Sequence, residues 1–107
     1  MIVLEKKYVL HVPLCKFEKG KLISAEADVS DLIDCLSKNG FDAAYITGAK
    51  GIYKSRCFDE LLVTIFASSD EPKEIFIRWF QKNNHLLGQE ALAYECDGKL
   101  FVMKLIE

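Results

Sequence analysis

An α+β sandwich, with two helices on one face of an antiparallel sheet, is the fold class the sequence predicts, and three observations predict it. Two segments carry apolar residues at helical spacing, and segments alternating with period two flank each of them. Asp97-Gly98 separates the last two alternating runs and supplies the positive φ angles of a two-residue hairpin turn. The segment 60–67 is largely apolar on both faces, which suits a central strand covered on both sides.

Residues 2–13 read as the first strand. Ile2, Leu4, Tyr8, Leu10 and Val12 share one face, and Val3, Glu5, Lys7, Val9 and His11 form a mixed one. Pro13 ends the strand, and the Lys/Gly-rich stretch 16–21 reads as a loop. Residues 24–38 read as a helix with a stripe of Ala25, Val29, Leu32, Ile33 and Leu36. Ser24 or Asp28 offers an oxygen to its first free amides, and Gly40 suits a left-handed stop.

Residues 41–53 read as a second strand in which Gly48 and Gly51 invite a bulge or bend. A turn between Lys54 and Phe58 leads to the strand at 60–67, where Leu61, Val63 and Ile65 alternate with Leu62, Thr64 and Phe66. Ser68-Ser69-Asp70-Glu71-Pro72 opens a second helix, with acids at the positive end of its dipole and Pro in its first turn. Its buried stripe is Ile75, Phe76, Trp79 and Phe80, with Ile77 pointing to solvent or a partner. Strands at 89–96 and 99–106 follow.

This order is β-α-β-β-α-β-β. Right-handed crossovers leave as its leading arrangement the ferredoxin-like split β-α-β sandwich, βαββαβ plus a C-terminal hairpin strand, with sheet order 4-1-3-2. The fifth strand extends the edge beside the fourth or reaches across to a partner. A chain of 107 residues, half of them apolar and 28% charged, suits one globular domain spanning 1–107.

A net charge of −2 and a pI near 5.7 supply no field for a phosphate backbone, and the aromatic pattern of an RNA-recognition sheet is missing. Nucleic acid is therefore not the expected partner. No apolar run reaches the ~20 residues of a membrane span, and Glu5, Lys6 and Lys7 break up the apolar start, so a cytoplasmic location is expected. Cys15, Cys35, Cys57 and Cys96 have no Cys-x-x-Cys spacing and read as free, reduced thiols.

Tyr8-Val9-Leu10 opening a strand, Gly51-Ile52-Tyr53, Glu60-Leu61-Leu62-Val63 and Gly88-Gln89-Glu90-Ala91-Leu92 follow one another along most of the chain. In these landmarks the sequence resembles small uncharacterised bacterial DUF3574-like domains, in the strand followed by a "GxY" hairpin and in the "QE" pair opening the last core strand. The resemblance implies no activity.

Few groups suggest chemistry on their own. Thr47-Gly48-Ala49-Lys50-Gly51 lacks phosphate-loop spacing and does not open a helix, so it reads as a strand bend. Neither His11 nor His85 has a carboxylate or thiol at metal-ligand spacing, and neither a metal nor a cofactor is expected. The topology does gather polar residues at one end of the sheet: His11, Lys50, Tyr53, Glu60, His85, Gln89 and Glu90. From these, His11, Tyr53, Glu60 and Gln89 are the candidate ligand-binding residues, against the bland alternative that sheet ends are polar because they meet water. Two helices cover only one sheet face, so the apolar residues of the other face suggest an oligomeric interaction or regulatory module, a homodimer through the helix-free face. The alternative is a small cofactor-independent enzyme or small-molecule-binding protein with its site at one end of the sheet.

Overall fold

The computed structural model describes residues 1–87 and 91–104, apart from the side chains of Phe17, Glu18, Tyr53 and residues 84–87. Its elements are β1 (Lys6–Pro13), β2 (Cys15–Glu18), β3 (Lys21–Ser24), α1 (Glu26–Lys38), β4 (Ala44–Tyr53), β5 (Arg56–Ala67), α2 (Glu71–Leu87), β6 (Ala91–Cys96) and β7 (Lys99–Lys104). Five strands form an antiparallel sheet in the order β4-β5-β1-β6-β7, and β2 pairs with β3 in a separate hairpin. Without that hairpin, this is the expected split β-α-β order, with the last strand extending the edge beside β6.

The sheet residues of the core all have one parity: Tyr8, Leu10 and Val12 on β1, Val63 and Ile65 on β5, Leu92, Tyr94 and Cys96 on β6. They pack with Val29, Leu32 and Leu36 of α1 and with Ile75, Phe76, Trp79 and Phe80 of α2. Both helices therefore lie on one face of the sheet. The opposite face carries Val9, His11, Glu60, Leu62, Thr64 and Phe66, and among the described residues no helix covers it.

Several boundaries differ from the sequence reading, each for a local reason. The first strand begins at Lys6, paired with Ala67, because β5 ends there and offers no partner farther back. Ile2, Val3 and Leu4 are consequently exposed. The stretch read as a loop at 16–21 is the β2–β3 hairpin. Lys19 and Gly20, with φ of 52° and 76°, make a tight turn of the primed kind. Lys16 Nζ reaches Asp28 Oδ2 at 2.6 Å, which ties this hairpin to α1.

No bulge forms at Gly48 or Gly51, since the β4–β5 register runs unbroken from Ala44↔Ile65 to Tyr53↔Arg56. Gly51 instead makes room for a ring: a Cβ there would lie 2.7 Å from Phe58 Cζ. The turn is tighter than expected, at Lys54 and Ser55 with φ of 50° and 63°, so β5 starts at Arg56. Ile77 packs half-buried against the core rather than pointing away from it. Asp97 and Gly98 make the expected turn with φ of 54° and 74°. The outer ends of the last two predicted strands, at 89–90 and 105–106, lie outside the described residues.

At the start of α2, Asp70 Oδ1 accepts hydrogen bonds from Lys6 Nζ and Tyr8 Oη, both at 2.7 Å. These donors hold the Asp70 carboxyl below its ordinary value of 3.8. Burial, then the bond to Asp70, pushes the Tyr8 phenol up. A lowered carboxylate value stabilises the fold fully above the unfolded value, and that stabilisation is lost as pH falls through the folded one. Wild type is therefore expected to melt higher than Asp70→Asn at pH 6, with the gap closing below pH 3.8. Melting curves across pH check this, and a gap that widens in acid would contradict it.

Candidate functional site

The helix-free face has a charged centre. Strands β5, β1 and β6 are neighbours there, with His11 opposite Leu62 on one side and Ala93 on the other. One step along, Glu60 pairs with Pro13, and one step back, Glu95 pairs with Val9. Both acids thus point to the same face as His11, on its two diagonals. The imidazole bridges them: Nδ1 lies 3.1 Å from Glu60 Oε1 and Nε2 lies 2.6 Å from Glu95 Oε2.

An ionised carboxylate can only accept, so each contact needs a proton between nitrogen and oxygen. A neutral imidazole supplies one such proton, at the ring nitrogen its tautomer protonates. Glu60 is the sheltered member, with its side chain 11% exposed, against 20% for His11 and 45% for Glu95. Two acids around one imidazole favour a cationic ligand. Each ring nitrogen faces a different acid, and among the described residues no group of three His, Cys, Asp or Glu side chains is placed to hold a metal ion.

Of the residues anticipated from sequence, the fold brings His11 and Glu60 together. Tyr53 lies at the β4–β5 hairpin tip opposite Arg56, four positions beyond the Ala49↔Glu60 pair, which is roughly 13 Å along the strand. Gln89 and Glu90 lie outside the described residues, as does the side chain of His85. Lys50 stands on the other face and pairs with Asp59 at 2.7 Å. Glu95 was missed. Its signal was an acid in the run Ala91-Leu92-Ala93-Tyr94-Glu95-Cys96, on the parity opposite to the core residues.

Two further features lie near the cluster. An open depression of about 410 Å³ lined by Leu14, Gly48, Ala49, Lys50, Asp59 and Glu60 adjoins Glu60. Tyr45, paired with Thr64, and Phe66 share the helix-free face, their ring centroids 6.5 Å apart. Thr64 is buried between them and Val9, so this part of the face has a closed floor.

No protein-family model matches the sequence, and no curated protein sequence matches it. Its fold is shared with solved structures of a phage SAM lyase. The complex of that enzyme with S-methyl-5'-thioadenosine matches at a TM-score of 0.62 and 15% identity, over 94% of this chain and 89% of the other. The apo enzyme matches at 0.62 and 16% identity over the same shares, 94% and 89%. At such identity the likeness establishes the fold.

Two expectations are corrected here. The resemblance to DUF3574-like domains is not supported: no family model matches, and the shared fold is that of the phage enzyme. The short landmarks behind it are strand and turn grammar that many antiparallel sheets share. The reading as an interaction or regulatory module is corrected by the same comparison, since the fold is shared with a phage SAM lyase. The helix-free face behind that reading is also no continuous apolar patch, because Glu60, His11 and Glu95 occupy its middle. Among the described residues no helix is long and apolar enough to cross a membrane.

Proposed function

We propose that this chain binds S-adenosylmethionine on its helix-free face and cleaves the bond between the sulfonium sulfur and the four-carbon amino-acid arm, releasing S-methyl-5'-thioadenosine. The observation that carries this reading is the fold shared with the phage SAM lyase over 94% of this chain and 89% of that one. The site supports it independently, since S-adenosylmethionine carries a sulfonium and an ammonium, and the Glu60–His11–Glu95 cluster is built to attract cations.

In the cleavage, the electron pair of the carbon–sulfur bond goes to sulfur, which leaves as a neutral thioether. The amino-acid fragment closes its own deficit, through attack of its carboxylate on the γ-carbon to give the lactone, or through loss of a β-proton to water to give the alkene. The substrate thus brings its own leaving group. The cluster's part is to hold the ammonium in place, with Glu60 as the sheltered anchor, while Leu62 and Val9 keep an apolar floor under the reacting bond. Loss of the sulfonium charge is easier over such a floor than in water.

The test is incubation of the purified chain with S-adenosylmethionine and chromatography of the products. S-Methyl-5'-thioadenosine is expected in amounts equal to the substrate lost, and the second product, lactone or alkene, identifies the route. Decay no faster than in buffer would overturn the reading.

A second copy over this face would close it into a cleft. Exposed Phe58, Leu100 and Val102 flank the cluster and offer apolar contact. We propose a twofold homodimer through this face, and light scattering at micromolar concentration is expected to give twice the 12.2 kDa chain mass. A monomer at that concentration would remove the second copy from the account.

A further inference from the structure

Resting on the functional reading above, we infer that Tyr45 and Phe66 form the platform on which the adenine ring of the substrate stacks, and that this pair sets preference for an adenosyl sulfonium over smaller sulfonium compounds. The register puts both rings on the face that holds the cluster. Tyr45 pairs with Thr64, Phe66 is two residues farther along β5, and His11 pairs with Leu62 on the same parity. The rings lie 6.5 Å apart and are inclined by 37°, so a flat heterocycle can rest on one and meet the edge of the other. Tyr45 is 49% exposed on the edge strand β4, where packing gives little reason for a large aromatic residue.

The distance fits. From His11 to Tyr45 the path crosses two strand spacings and one two-residue step, about 12 Å in all. From the adenine attachment point to the α-ammonium of S-adenosylmethionine there are nine bonds, about 11 Å when extended. The substrate can therefore lay its base on Tyr45 and Phe66 while its ammonium reaches the His11 position, where the Glu60 carboxylate lies 3.1 Å from the ring. Between them the floor is Thr64, which is buried, with Val9 and Leu62, which are half-buried. That floor is apolar apart from one hydroxyl.

Stacking of a base on an aromatic ring is lost on truncation to alanine. Tyr45→Ala is expected to weaken S-methyl-5'-thioadenosine binding in calorimetric titration, and to raise KM for S-adenosylmethionine, by about tenfold, with kcat within about twofold of wild type. Tyr45→Phe keeps the ring and is expected to restore wild-type values. Phe66 is half-buried, so Phe66→Leu, which keeps most of its bulk, is the second variant and is expected to weaken binding as Tyr45→Ala does. Wild type that cleaves the substrate, with Tyr45→Ala and Phe66→Leu binding the product as wild type does, would overturn the platform and leave the functional reading standing. Wild type that binds the product through Tyr45 without cleaving the substrate would overturn the lyase reading and keep the platform. Wild type that does not bind the product would overturn the platform.

Discussion

Glu60→Gln is expected to lower kcat/KM for S-adenosylmethionine by about 30- to 150-fold, the effect of losing one charge-assisted hydrogen bond worth about 2–3 kcal/mol. The amide has nearly the same shape and can still bond to His11, so the fold should survive and only the negative charge is removed. Glu95→Gln is the internal comparison. Its side chain is 45% exposed against 11% for Glu60, and water screens it, so it is expected to cost less than about fivefold. Steady-state kinetics of both variants give the order. Equal effects, or a larger one at Glu95, would mean that the sheltered acid is not the anchor.

Phe76→Ala is expected to cause the largest loss of stability. Its side chain is fully buried, and its ring meets those of Trp79, Phe80 and Tyr94 at 6.3, 5.7 and 6.5 Å. Truncating a buried phenylalanine costs about 3–5 kcal/mol, a large part of the ~5–15 kcal/mol that holds a domain together. For a chain of this size that corresponds to a fall of roughly 12–30 °C in Tm. Thermal denaturation followed by circular dichroism checks it, and a fall of only a few degrees would show that the α2–sheet contact is not the centre of the core.

The fold was legible in the sequence because its signals are local and repeated. The stripe Ile75, Phe76, Trp79, Phe80 and the Asp97-Gly98 turn each point to one element, and crossover handedness leaves few ways to pack them. The β2–β3 hairpin was not legible, because its turn puts Lys19 at a positive φ that lysine rarely adopts, and its strands are only four residues long. Gly51 misled for a similar reason: the demand for glycine comes from the Phe58 ring on the next strand, not from a bend.

Half of the candidate site was legible. His11 and Glu60 could be placed together from topology, since Pro13 and Glu60 face each other at a shared sheet end. Glu95 could not, because its approach to His11 depends on the register of β6 against β1, and register is set by side-chain packing across strands. Tyr53 was misplaced for want of the turn position: a turn at Lys54 and Ser55 moves it to the hairpin tip. The aromatic pair Tyr45 and Phe66, on two strands, also becomes a pair only in register.

A crystal structure of this chain with S-methyl-5'-thioadenosine shows where the adenosyl sulfonium binds. The ligand is expected on the helix-free face, with its adenine against Tyr45 and Phe66 and its sulfur over Leu62 toward His11 and Glu60. Ligand bound instead on the helix side of the sheet, for instance against the stacked Tyr94 and Phe101 rings, would contradict it.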